Sequence, residues 1–259
     1  MRLPIHQIDA FADRPFTGNP AAVMPLEAWL PDTTMQAIAA ENNLAETAFL
    51  VREPGGWHIR WFTPEEEVDL CGHATLASAF LLLTELEPGD HVAFLSRSGP
   101  LAVTREGERF VLDFPSRPGA PAPEMMAPLA AAFGVAPSEV RRARDLMAVF
   151  PDEATVRALK PEMSALAATG AFGVLATAPG REVDFVSRCF FPGAGVPEDP
   201  VTGSAHCTLI PYWSERLGKA RLSAYQASAR GGHLACELQG DRVRIGGRAV
   251  KVLEGVFLL

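Results

Sequence analysis

The chain has 259 residues, 48% of them apolar, and a formal net charge of −8. That is enough apolar material for one large packed domain or two modest ones. The negative charge, with no basic run beyond Arg141–Arg142–Ala143–Arg144, excludes nucleic acid as an expected main partner, and no stretch nears the ~20 apolar residues that span a bilayer.

The opening MRLPIHQIDA has no apolar segment of signal-peptide length. Four cysteines (Cys71, Cys189, Cys207 and Cys236) form no CxxC pair and are too few for a disulfide framework. The expected protein is therefore cytoplasmic, with reduced thiols and no membrane partner.

The first predicted strand is IHQIDAFA. It runs into a Thr17–Gly18–Asn19–Pro20 turn, which can aim Asn19 at a ligand. A helix is predicted near 33–43, followed by the strand AFLV. The strand HIRWF leads to a Gly turn and a helix near 73–84, then to the strands HVAFLS, LAVTR and RFVLDF. SRPGAPAPE (116–124) reads as an extended linker. Beyond it lie helices near 154–168 and 204–217 and the strands EVDFVSRCF, LACELQ, DRVRIGG and VKVLEGVFLL. The expected class is α+β, with lobes at 1–116 and 117–259; completion of the first lobe by the last strand, 249–259, is left open.

The chain repeats itself once. RWFTPEEEVDLCGHATLA (60–77) matches RCFFPGAGVPEDPVTGSAHCTL (188–209) in its Arg, aromatic pair, Pro, acidic segment, Gly turn and apolar run. Arg188 follows Arg60 by 128 residues, and Gly203 follows Gly72 by 131. Cys71-Gly72-His73-Ala74 therefore falls opposite Thr202-Gly203-Ser204-Ala205. Upstream, MQAIAAENNLAETAFLV (35–51) resembles MSALAATGAFGVLAT (163–177) at the same offset of 128. Two similar lobes are expected, each holding an apolar helix whose N-terminus, at the Gly turn, has free N–H groups suited to an anion. Pro211 is expected to kink the second helix or to sit near its first turn.

The candidate chemical groups cluster at these turns. Glu46 is flanked by Leu44, Ala45, Ala48 and Phe49, with a counterpart expected at Ala171 or nearby. A carboxylate in an apolar pocket can shuttle protons near neutrality; a solvated turn residue is the structural alternative. His73 can cap a helix, pack in a core, or donate a proton. Asp199 can be an N-cap or an Asx turn before Pro200. Ser204 can cap or bind ligand. A phosphate loop, a dinucleotide fingerprint and a GxSxG elbow are all absent. The six histidines show no HxH, HxxxH or HExxH spacing, so no metal is expected, although Cys71, His73, His206 and Cys207 could be drawn into a set.

Four segments in this order, DAFADRPFTGNPAAV, ENNLAETAFL, RWFTPEEEVDLCGHATLA and EDPVTGSAH, resemble the PhzF-like phenazine-biosynthesis family over nearly the whole chain. The resemblance implies a diaminopimelate epimerase-like fold: two pseudo-symmetric β-barrel-like lobes, each wrapped on a central helix, with the active site between them. It implies a homodimer without a cofactor that isomerises a small carboxylic acid by moving a proton; the type enzyme acts on a dihydro-hydroxyanthranilate. By motif match Glu46 is the proton-shuttling carboxylate and His73 and Asp199 are catalytic. Asn19, Gly72, Gly203 and Ser204 contact substrate. Related epimerases and racemases carry a cysteine at both helix starts, whereas this chain has Cys71 and Thr202. Two alternatives stay open: an amino-acid epimerase or racemase using Cys71, and a non-catalytic small-acid binding protein.

Overall fold

The computed structural model describes residues 1–259 and shows a mixed α/β fold, mostly sheet. The chain divides into two compact units, Met1–Asp113 with Gly246–Leu259, and Phe114–Ile245. The order in the first is β1 (Arg2–Ala10), β2 (Asn19–Leu26), α1 (Asp32–Asn42), β3 (Glu46–Glu53), β4 (Gly56–Phe62), β5 (Glu67–Val68), α2 (Gly72–Leu81), β6 (His91–Ser96), β7 (Gly99–Glu106) and β8 (Arg109–Pro115). There follow β9 (Ala120–Pro121), α3 (Met126–Phe133), β10 (Glu139–Arg142), β11 (Leu146–Val149), α4 (Glu153–Ala158), α5 (Met163–Ala167), β12 (Val174–Pro179), β13 (Phe185–Phe191), β14 (Val196–Asp199), α6 (His206–Leu217), β15 (Arg221–Gln226), β16 (Gly232–Gln239) and β17 (Arg242–Gly247). The last strand, β18 (Ala249–Leu258), pairs antiparallel with β1.

Both units use one pairing scheme. β2 runs parallel to β3, β3 antiparallel to β4, β4 parallel to β6, and β6 antiparallel to β7. The second unit repeats this with β11, β12, β13, β15 and β16. The repeat in the sequence is thus a repeat of topology. The barrel-like expectation needs correction, because the structure contains no closed barrel: β18 and β8, at opposite ends of the first ladder, do not pair. The free side of β8 is taken by β17 instead, and the β1–β18 register shifts between Gln7 and Ile8.

The repeated arginines are structural clamps. Arg60 on β4 grips Glu67 on β5 with two hydrogen bonds, Nε to Oε1 at 2.7 Å and Nη2 to Oε2 at 2.8 Å. Arg188 on β13 grips Glu198 on β14 in the same way, both at 2.8 Å. Each guanidinium also lies over the aromatic ring two residues on, Phe62 or Phe190. A bidentate, partly desolvated pair fixes geometry better than an open ion pair. It pins the short strand that precedes each Gly turn.

The helices depart from expectation in instructive ways. The stretch predicted as one helix over 154–168 is two, α4 and α5, because Pro161 cannot continue a helix and its predecessor avoids helical backbone. Helix α3, beyond the linker, went unpredicted; its Pro128 sits in the first turn, where the missing N–H costs nothing, and Gly134 ends it at φ +69°. Helix α2 is buried at nine of its ten residues and continues as a π turn over Leu82–Leu86. Burying each of its leucines contributes about 2 kcal/mol. Residues 203–205 bond in i→i−3 fashion, so α6 begins at His206 rather than 204. Pro211 lies inside α6 and leaves the Cys207 carbonyl without its helical donor. The backbone N–H of Arg117 fills that place at 2.8 Å, which ties the linker to the helix.

His206 is fully buried and donates from Nδ1 to the Thr202 carbonyl at 2.9 Å. Burial lowers its pKa to about 4. Between pH 6.5 and 4 the unfolded chain therefore binds a proton that the folded chain refuses, so stability falls as pH drops through that window. The loss should approach about 3 kcal/mol. Denaturant titrations at pH 7 and pH 4 should show it in the wild type, with a flatter dependence in His206→Gln; equal slopes would contradict this role.

Candidate active site

The first site residues come from three neighbouring elements. Asn19 heads β2, opposite Ala10, and is fully buried. It is therefore a strand residue and not part of the expected turn. Gly18 before it has φ +68°, and a Cβ there would sit 2.2 Å from the Ala10 carbonyl oxygen, so only glycine fits. Helix α1 ends on Asn43 in left-handed backbone, whose N–H bonds to the Ala39 carbonyl. Two residues later Glu46 opens β3, paired with Ala21. Asn42 Nδ2 donates to Thr47 Oγ1 at 3.0 Å and braces this corner.

The start of α2 supplies the rest. Cys71 is its N-cap and makes no side-chain cap, so first-turn N–H groups stay available. Thr75 Oγ1 bonds back to the Cys71 carbonyl at 2.5 Å. His73, in the first turn, is 5% exposed. Its Nε2 lies 3.0 Å from Glu46 Oε2, and its Nδ1 lies 3.2 Å from Asn19 Nδ2 and 3.5 Å from Cys71 Sγ. Glu46 Oε2 is buried without a well-aligned hydrogen bond, while the side chain as a whole is 18% exposed. One oxygen thus faces His73 and the other, Oε1, is open. The first unit brings together Asn19, Glu46, Cys71, Gly72 and His73.

The second unit holds Asp199, Gly203 and Ser204 in its own network. Asp199 closes β14, and its Oδ2 accepts the Thr202 hydroxyl. Gln226, fully buried at the end of β15, takes the Thr202 N–H on Oε1 at 2.8 Å and donates from Nε2 to the Asp199 carbonyl at 2.8 Å. Ser228 Oγ donates to the Pro200 carbonyl at 2.7 Å. Sequence reading missed Gln226, since nothing marks a lone glutamine at a strand end as the peg of a loop 24 residues upstream. Gly203 is buried and Ser204 half-buried in the tight turn before α6.

The counterpart of Glu46 also needs correction. Glu46 opens β3, and Val174, 128 residues on, opens β12; it is buried and apolar. The scaffold is duplicated and the carboxylate is not.

Donor atoms of Glu46, Cys71 and His73 lie within 4.8 Å of one another, a mixed O, S and N trio that could face a cation. Both ring nitrogens already face protein partners, so a metal would have to take one from Glu46 or from Asn19 and Cys71. A second trio, His6, Glu85 and Glu254, surrounds the Lys251 ammonium, which bonds Glu85 at 2.7 Å and Glu254 at 2.5 Å. No helix is long and apolar enough to cross a membrane.

Residues 8–255 match the profile of the family described as phenazine biosynthesis-like protein, PhzC-PhzF. An uncharacterized isomerase of Pseudomonas aeruginosa is 54% identical over 98% of each chain. The crystal structure of a PhzF-family phenazine biosynthesis protein from Enterococcus faecalis superposes with a TM-score of 0.96 at 50% identity, covering 100% of both chains. A hydroxyproline epimerase from Agrobacterium vitis shares the fold at a TM-score of 0.62 and 10% identity, over 99% of this chain and 91% of its own. The chain belongs to the phenazine biosynthesis-like PhzC-PhzF family and is an enzyme of the isomerase class.

Proposed function

We propose that this chain is a cofactor-independent isomerase that moves a proton within a small carboxylic acid, with Glu46 as general acid and base. The observation that carries this reading is the Glu46 carboxylate: one oxygen buried against His73, the other open. Oε1 takes a proton from a carbon beside a carboxylate or enamine, and the same group returns it at a second carbon. The first-turn N–H groups of α2, from Gly72 onward, are suited to the substrate's carboxylate, where charge builds as the proton leaves. For Asp199, Gly203 and Ser204 the support is the family resemblance together with the pegged loop that presents them. Assembly as a homodimer and a cytoplasmic setting belong to the same proposal.

A thiol mechanism fits less well. Burial, with the Glu46 charge adding to it, pushes the Cys71 thiol up to about 11. At the matching point of the second unit stands Thr202, whose hydroxyl is engaged with Asp199. Positioned general acid–base catalysis is worth roughly 10²–10⁴-fold, so Glu46→Gln should lose at least ~100-fold in turnover while keeping its fold. The assay is deuterium uptake from D2O, followed by NMR, into dihydro-hydroxyanthranilate and a panel of amino acids. Uptake lost in Glu46→Gln and retained in Cys71→Ala supports the carboxylate. Uptake at an amino-acid α-carbon that depends on Cys71 transfers the protein to the epimerases, and tight binding without uptake makes it a binding protein.

All four cysteines are free, buried thiols with raised pKa values. A rise from 9 to about 11 at Cys71 cuts the thiolate fraction about 100-fold near neutrality. Iodoacetamide at pH 8 should therefore label the native chain at least ~100-fold more slowly than the urea-unfolded chain. Fast native labelling of Cys71 that abolishes activity would restore the thiol mechanism.

A further inference from the structure

The His73 ring has a polar group at each nitrogen, and the chemistry of those groups decides where its proton sits. An asparagine amide nitrogen donates and never accepts. Asn19 Nδ2 is 3.2 Å from Nδ1. Cys71 Sγ is 3.5 Å from the same nitrogen, nearer than the 4.0 Å to Nε2. Below its raised pKa of about 11 that thiol keeps its hydrogen and is a second, weaker donor. Two donors converging on Nδ1 require a bare lone pair there. The single proton of the neutral ring is then on Nε2, 3.0 Å from Glu46 Oε2.

We propose that Asn19 and Cys71 are positioning residues that lock His73 as its neutral Nε2–H tautomer, so that a ring proton is held against the inner oxygen of Glu46. The inference rests on Glu46 being the base, and it gives Cys71 work that needs no thiolate. An imidazolium would carry a second proton on Nδ1, pointed at the Asn19 amide and the thiol hydrogen. Burial of the ring also opposes the charge. A Cys71 thiolate and the Glu46 carboxylate would together hold the ring protonated well above the usual histidine range. The thiolate half of that support is missing at neutral pH, because the thiol is not ionised. A neutral ring leaves Glu46 with Oε2 beside the ring nitrogen and Oε1 open to act. In that state the base is not tied up in a carboxylate–imidazolium pair.

The test is a long-range ¹H–¹⁵N correlation spectrum of the ligand-free, ¹⁵N-histidine-labelled chain at pH 7.5, with His73 assigned by its absence in His73→Gln. The chain holds an internal reference, since His206 donates from Nδ1 to the Thr202 carbonyl and is the opposite tautomer. The expected wild-type pattern is Nε2–H for His73 and Nδ1–H for His206. Asn19→Asp turns a donor into an acceptor at nearly constant shape and should move the His73 proton to Nδ1 or add one there. It should also lower kcat at least tenfold, with a smaller change in KM. Cys71→Ser, which keeps a donor, should retain the Nε2–H pattern, and it reports on the site even if Asn19→Asp fails to fold. Nδ1–H or imidazolium in the wild type overturns the proposal, as does an unchanged His73 pattern in a folded Asn19→Asp. A fully active Glu46→Gln would defeat the base assignment and leave the tautomer untouched, so the two failures are distinguishable.

Discussion

A buried imidazole takes the placement of its protons from the protein groups around it, and the local build of the first unit sets those groups about His73. His73 sits in the first turn of a helix buried almost all round, where water cannot serve it. Asn19 and Cys71 answer one nitrogen and Glu46 faces the other. Each arrives there for a separate structural reason. Gly18 allows the close turn that starts β2 at Asn19. Asn43 ends α1 so that β3 opens on Glu46. The Arg60–Glu67 clamp fixes the short strand ahead of Cys71. Polar groups in a low-dielectric surround are costly when unpaired and well oriented when paired, which suits a site that must hold one carboxylate ready.

The duplicated architecture shows which parts are scaffold and which are chemistry. The pairing scheme, the Arg–Glu clamp and the buried helix after a Gly turn occur in both units. The side chains at equivalent points differ. Glu46 has Val174 for its counterpart, Cys71 has Thr202, and His73 has Ser204. The second unit spends its polar groups on the loop itself, through Thr202, Gln226 and His206. Under the proposed mechanism the first unit carries the proton-handling set and the second a rigid, polar turn.

Much of this was legible in the sequence, and the residues say why. Strands such as HVAFLS and LAVTR are legible because their period-two burial is local, whereas β2, β11 and β15 are not among the predicted strands. The repeat was visible because clamps and turns recur at fixed spacing, although the role of its arginines emerges only when the guanidinium is seen on its carboxylate. Glu46 and His73 were legible as candidates through their apolar flanks and the Gly turn; their approach across β3 and α2 is a tertiary fact that no local pattern encodes. Gln226 was invisible for the same reason. The misreadings have specific causes: Pro161 splits a helix, Pro128 disguises one, and the barrel that the family resemblance implied does not close because β8 pairs with β17 rather than β18.

Glu46 and the first turn of α2 are proposed to work on one small carboxylate. A crystal structure of the chain with hydroxyanthranilate, the aromatic and unreactive counterpart of the dihydro acid, tests it most directly. The expected pose has the ligand carboxylate on the N–H groups of Gly72 and His73, with a ring carbon beside Glu46 Oε1. A ligand seated with its carboxylate elsewhere and its ring turned from Glu46 would contradict it.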